Sequence, residues 1–364
     1  MIENRVYNFS AGPSMLPESA LLKAQAELLN FEGSGMSILE MSHRSKTYLN
    51  VFNETETLLR RVMRIPDNYK VLFLQGGASL QFASIPMNLM KSGRADYVVT
   101  GSFAKKAAAE AKKYGDVHIA ASGEADGFTR IPRQNELDLR PDADYVHICY
   151  NNTIYGTHWN YVPDTGSVPL VADMSSCILS EEVDVSKFGL IYAGAQKNVA
   201  PAGLTIVIIR EDLAGNAMPI TPSVMNYKTL IDNASMYNTP STFPIYFSKL
   251  VLEWIESVGG IAELAETNVK KAAALYSLLD SCPLYKTGVS PESRSLMNVT
   301  FTTGNDELNA SFVKEASAAG LLTLKGHRAV GGMRASIYNA MPYEGVLKLI
   351  NFMTDFADKN TTGE

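Results

Sequence analysis

Two apolar runs of strand length end on groups that can do chemistry. Residues 168–172 lead into Asp173, and residues 189–195 lead into Gln196-Lys197. Ligands of open α/β sheets collect beyond the carboxyl ends of the strands, so a carboxylate and an amine would be delivered to one crevice. One reading of such a pair is a structural salt bridge. The chemical reading is pyridoxal phosphate, with which a lysine forms a Schiff base while an aspartate keeps the pyridine nitrogen protonated so that the ring accepts electrons. A third feature fits the same cofactor. Gln75-Gly76-Gly77-Ala78-Ser79 lies between a strand and a helix. Small residues there let the backbone approach a ligand, and free N–H groups at a helix start attract phosphate. The same glycines also serve an ordinary turn.

A fourth feature is a repeated dipeptide. Two of the five histidines precede arginine, at His43-Arg44 and His327-Arg328, with Arg334 close behind the second. Arginine presents a planar fork to carboxylate or phosphate. Two such pairs suit a dianion, although chance alone also produces them. Other common sites are missing: no Walker A motif, HExxH, GxSxG elbow or GxGxxG follows the first strand. The histidines have no metal spacing, and no metal is expected.

The elements that must position these groups alternate. Apolar runs at 71–74, 97–100, 117–120, 145–149, 170–173, 190–193 and 205–209 predict buried strands. Segments 79–91 and 103–114 predict helices between them, and 17–31 and 47–65 predict helices before them. Such alternation implies a parallel sheet covered on both faces. After residue 210 a Pro- and Asn-rich stretch precedes helices near 245–258 and 261–281. Strand-like 297–302 and 334–337, a helix near 307–319 and a final helix from Pro342 then predict a smaller α+β unit. The expected domains are 16–262, and 1–15 together with 263–364.

At 364 residues, with 46% hydrophobic and 19% charged, the chain is long enough to bury its own cores. Its net charge of −6 argues against a nucleic-acid partner, which needs a dominant basic face. Three cysteines, Cys149, Cys177 and Cys282, lack CxxC spacing and support neither a disulfide framework nor a zinc knuckle. The start of the chain is charged and no apolar run reaches membrane length, so a cytoplasmic protein without a membrane partner is expected.

The motifs YNFSAGPSMLP at 7–17, EMSHRSK at 40–46, QGGASLQF at 75–82, TGSFAKKA at 100–107, NNTIYGT at 151–157, ADMSS at 172–176, AGAQKN at 193–198, NTPSTFPIY at 238–246 and KGHRAVGGMRASIYNAM at 325–341 run nearly end to end. In these the chain resembles the phosphoserine aminotransferase family, of the class V, fold type I pyridoxal-phosphate enzymes. The resemblance implies an α/β fold with a large, mainly parallel sheet domain and a smaller α+β domain. It implies amino-group transfer between L-glutamate and 3-phosphohydroxypyruvate, giving O-phospho-L-serine and 2-oxoglutarate in serine biosynthesis, and admits 4-phosphohydroxythreonine in vitamin B6 synthesis. It assigns the Schiff base to Lys197 and the pyridine nitrogen to Asp173. Ala78, Ser79 and Gln196 would hold the phosphate, Thr153 the phenolic oxygen side, and Asn238 and Thr239 the phosphate of the other subunit of a homodimer. Ser10, His43, Arg44, His327 and Arg328 would line the substrate site, with Arg334 gripping the α-carboxylate. Phe103 departs from the Trp that the family commonly stacks on the ring, yet keeps an apolar face. Within class V, a cysteine desulfurase would need a reactive cysteine on a mobile loop, and none of the three is placed for it. An alanine–glyoxylate enzyme would leave the His-Arg pairs without an anion, and a non-catalytic anion-binding protein would form no lysine adduct.

Overall fold

The computed structural model describes residues 5–361. Its centre is a seven-stranded sheet: β1 Tyr69–Leu74, β2 Arg94–Val99, β3 Asp116–Ser122, β4 Val146–Cys149, β5 Leu170–Asp173, β6 Leu190–Gly194 and β7 Thr205–Arg210, in spatial order β1-β7-β6-β5-β4-β2-β3. All neighbours are parallel except β7, which runs antiparallel to both β1 and β6. The sheet is therefore mainly parallel, as expected, with β7 as its one antiparallel strand. The connection 195–204 is too short for a helical crossover, so the chain turns back beside β6. That reversal is the loop that carries Lys197.

Both faces of the sheet are buried, and the strands read accordingly. Along β7, Ile206 and Ile208 join one apolar cluster while Val207 and Ile209 join the opposite one. β1 divides in the same way, with Val71 and Phe73 on one face and Leu72 and Leu74 on the other. Side chains alternate with a period of two, so only a doubly covered sheet makes continuous apolar runs stable.

The first face is covered by α2 Lys46–Met63 and by α5 Thr242–Ser257. Ser45 caps α2 by accepting from the Tyr48 N–H, and Arg64 closes it in the left-handed conformation. Its buried stripe, Tyr48, Val51, Phe52, Thr55, Leu58, Leu59 and Met63, follows helical spacing. The other face is covered by α3 Gly77–Leu89 and α4 Ser102–Ala111. Helix α1, expected over 17–31, spans only Glu18–Glu27. Beyond it the Asn30 side chain accepts from the Gly35 N–H at 2.7 Å, a local bond that competes with helix continuation.

A third apolar cluster is built from both ends of the chain. Tyr7, Phe9 and Met15 pack with Leu275, Phe312, Leu321 and Leu349. Tyr7–Asn8 pairs in parallel with Leu321–Leu322, and β8 Asn298–Phe301 pairs antiparallel with β9 Met333–Ser336. Helices α7 Asp306–Ala318 and α8 Tyr343–Thr361 complete this unit. Helix α6, Gly260–Ser281, belongs to both: Ile261 and Leu264 enter the first cluster, while Leu275, Tyr276 and Leu279 enter the third. Midway along it, buried Lys271 donates to the carbonyls of Ile337, Tyr338 and Met341 at 3.1, 2.8 and 3.1 Å. This ties down the segment that follows β9. No helix among the described residues is long and apolar enough to cross a membrane.

Candidate active site

Lys197 lies in the turn between β6 and β7, whose base is closed by the Ala195 N–H donating to the Leu204 carbonyl at 3.0 Å. Its Nζ is buried and donates to Thr153 Oγ1 at 2.8 Å. Burial pulls the amine below its ordinary pKa, with the Asp173 carboxylate opposing that shift. An amine that sheds its proton readily serves as nucleophile and base. Asp173 ends β5, as its apolar run requires, and its Oδ1 accepts from the Ser175 N–H at 2.9 Å.

The glycine turn opens onto the same space. Gly76 caps α3 at φ 92°, and a Cβ there would stand 2.4 Å from Leu80 Cδ2, so only glycine fits. No side chain caps α3, which leaves its first N–H groups for another partner. The N-terminal arm closes the opposite side. The Ser14 N–H donates to the Gln196 carbonyl at 3.0 Å, and the Ser14 hydroxyl donates to that of Lys197. A Cβ on Gly12 would approach Lys197 Cγ to 3.2 Å.

On the third side stands Arg334 of β9. It donates to the Thr153 carbonyl at 3.3 Å, so Thr153 touches both the amine and the guanidinium. Arg334 Nε is buried without a hydrogen-bond partner, and burial lowers the affinity of the group for its proton. A cation in that condition calls for an anion. His327 accepts from the Ala329 N–H at its Nδ1, 3.2 Å, which leaves Nε2–H as a donor in the neutral ring. Burial first, then the charges of Arg334, Arg328 and Lys106, hold His327 below its ordinary pKa.

These groups enclose a cavity of about 310 Å³ lined by nine of the residues expected from the sequence: Ala78, Ser79, Phe103, Thr153, Asp173, Gln196, Lys197, His327 and Arg334. The Phe103 ring centroid is 5.6 Å from Lys197 Nζ. The other six stand outside that lining. Asn238 is exposed and donates to Gln75 Oε1 at 3.2 Å, while Gln75 donates to the Thr239 carbonyl, also at 3.2 Å. Ser10 turns its hydroxyl to the Gly12 N–H at 3.3 Å. Arg44 and Arg328 are exposed, and His43 Nε2 is buried without a partner.

The donor set suits the cofactor expected from the sequence. Lys197 offers a buried amine held below its ordinary pKa, Asp173 a carboxylate, α3 its free N–H groups and Phe103 an apolar face. When bound, pyridoxal phosphate supplies a carbonyl carbon that reacts with amines and a ring that accepts an electron pair.

Sequence reasoning passed over the groups that hold this set together. Asn151 and Ser176 line the cavity, and both lie inside motifs whose other members drew attention. Asn151 Nδ2 donates to Ser176 Oγ at 2.7 Å and to Asn298 Oδ1 at 2.9 Å. Asn298 Nδ2 in turn donates to Ser336 Oγ at 2.9 Å and to the Tyr338 hydroxyl at 3.1 Å. That hydroxyl donates to the Ala11 carbonyl at 2.8 Å. Asn298 is fully buried, and it couples the strand that carries Arg334 to the loop that carries Thr153. Replacing Asn298 with alanine strands several buried partners, so stability falls by about 1–3 kcal/mol in urea unfolding. With Arg334 less firmly held, KM rises more than kcat falls. Unchanged kinetics beside lowered stability would make the network merely structural.

Residues 6–349 match the family model for aminotransferase class V. The chain belongs to the class-V aminotransferase family. Among its relatives, phosphoserine aminotransferase of Bacillus cereus is 57% identical over 357 residues, covering 98% of this chain and 99% of that one. The solved phosphoserine aminotransferase from Bacillus circulans subsp. alkalophilus superposes with a TM-score of 0.96 at 48% identity, covering 98% of this chain and all of that one. The pyridoxal-phosphate-bound enzyme of Trichomonas vaginalis superposes with a TM-score of 0.92 at 39% identity, over 96% of this chain and 100% of that one. The resemblance carried by the motifs is borne out.

Proposed function

We propose that this cavity binds pyridoxal phosphate and transfers the amino group between L-glutamate and 3-phosphohydroxypyruvate, giving 2-oxoglutarate and O-phospho-L-serine. The observation that carries the reading is the buried Lys197 amine between Asp173 and Arg334, whose Nε has no hydrogen-bond partner. Lys197 takes a proton from the substrate Cα and returns it on the other side of the exchange. Thr153, hydrogen-bonded to that amine, orients it. Asp173 holds a proton on the pyridine nitrogen, and Ala78 and Ser79 hold the phosphate at the start of α3, joined by Gln196 from the turn between β6 and β7. Arg334 binds the α-carboxylate common to every substrate, and His327 with Arg328 supplies donors to the distal anion.

Asn238 and Thr239 are exposed next to Gln75, and Leu80 and Val224 expose apolar side chains along the same hollow as Asn238. This supports a homodimer in which Asn238 and Thr239 reach the partner's site, while His43 and Arg44 serve the substrate site. The split of the apolar clusters supports a large domain over 16–262 and a small one from 1–15 with 263–364. Three free cysteines suit the reducing cytoplasm.

The test is an absorbance spectrum of the cofactor-loaded protein, followed by addition of glutamate. Glutamate is expected to convert the lysine-bound band to the amine form of the cofactor. Restoration by 3-phosphohydroxypyruvate, but not by pyruvate or glyoxylate, supports the substrate. Equal restoration by all three sinks the phosphate specificity, and a protein without any band sinks the reaction.

A further inference from the structure

Sequence spacing offered no metal ligands because the groups that meet come from two separate segments. His158 ends the short strand Thr157–His158, which folds back on Asn151–Asn152, while Cys177 and Glu181 lie on the segment that leaves Asp173. Their ligand atoms all fall within 4.8 Å of one another, and His158 Nε2 stands 3.0 Å from Glu181 Oε1. On a tetrahedral zinc ion with bonds of about 2.0–2.3 Å, ligand atoms are separated by about 3.3–3.6 Å. The His158–Glu181 separation lies just below that range and no pair exceeds it by more than about 1.5 Å, so small side-chain rotations suffice.

The surroundings are those of a site with a buried back and an open front. Cys177 is a buried free thiol, whereas Glu181 retains 29% exposure. The Tyr150 ring meets His158 edge-on at 5.1 Å and fixes the imidazole plane. Glu181 also lines a cavity of about 360 Å³ together with Glu182, Asp184 and Arg64. Arg64 is paired with Glu182 at 2.9 Å, which leaves Glu181 and Asp184 to give the mouth a negative potential. Soft sulfur, borderline nitrogen and one carboxylate select zinc-class ions over magnesium or calcium.

We propose that His158, Cys177 and Glu181 bind one zinc ion, with a water molecule from the cavity in the fourth position. Binding forms bonds from zinc to Nε2, Sγ and a carboxylate oxygen and releases the thiol proton to solvent. Thiolate and carboxylate then neutralise the dication, and nothing is oxidised or reduced. The Cys177 N–H donates to the Met174 carbonyl at 3.0 Å, so the ion would brace the turn directly behind Asp173.

The test uses the cofactor-loaded enzyme, stripped with a chelator, dialysed against zinc chloride and analysed for bound metal by atomic emission. The expected result is about one retained zinc per chain, with a higher Tm than the stripped protein. Cys177→Ser and Glu181→Gln each weaken binding by roughly a hundredfold or more, beyond what an outer-shell change costs, and lose the Tm increase. Cys282→Ser keeps both. Should Cys177→Ser fail to fold, Glu181→Gln and His158→Gln carry the test. A parent enzyme that retains no zinc overturns the proposal, as do ligand variants that retain as much as the parent, since the ion would then sit elsewhere.

Discussion

Lys197→Ala reduces amino-group transfer by roughly 10⁴-fold or more, because one side chain supplies both the covalent anchor and the proton carrier. The protein still folds. Lys197 is enclosed, its affinity for a proton is already depressed, and its one side-chain hydrogen bond goes to a threonine hydroxyl. Removing the amine therefore breaks a single side-chain hydrogen bond, Asp173 keeps its bond from the Ser175 N–H, and circular dichroism should match the parent. Borohydride reduction of the loaded parent fixes the cofactor to the chain, and in the variant it fixes none. Substantial turnover by Lys197→Ala would remove the lysine from the chemistry and with it the role proposed for Asp173.

Arg334→Ala is expected to lower kcat/KM by roughly 30- to 5,000-fold, the equivalent of about 2–5 kcal/mol for truncating one member of a buried charge pair. The loss falls on glutamate and on phosphorylated substrates alike, since both present an α-carboxylate. Arg334→Lys rescues little, because a single ammonium cannot reproduce the fork that also reaches the Thr153 carbonyl. Steady-state kinetics on both half-reactions check this. A defect confined to the phosphorylated substrate would move Arg334 from the common carboxylate to the distal anion.

Much of this site is legible in the amino-acid sequence, for local reasons. Asp173 ends an unbroken apolar run and Lys197 lies just beyond another, and a buried strand must hand its end to the sheet's carboxyl edge. The turn at residues 75–79 is equally local, since Gly76 adopts a conformation that side chains avoid. The direction of β7 is not legible, because 205–209 reads as a buried strand whichever way it runs. Nor is the grip of Ser14 on the Lys197 loop, or the path from Asn151 through Asn298 to Tyr338. Those depend on which distant segments meet. A buried asparagine looks the same in sequence as an exposed one until its partners are known. Phe103 stands on the cavity wall and gives it an apolar face.

The pairing of Tyr7–Asn8 with Leu321–Leu322 also bears on how the protein is made. Chains are synthesised from the N-terminus, and domains fold as units as they emerge from the ribosome. The strands of the central sheet are complete once residue 210 is out, yet the first strand must wait for a partner more than three hundred residues later. Until then the arm that carries Gly12 and Ser14 has no anchor at its outer end, and Arg334 has not been made. The nascent sheet can thus form without a competent active site. Catalytic competence arrives only as the last segments leave the ribosome, because the arm's partner strand and Arg334 are both made after the sheet that carries Lys197.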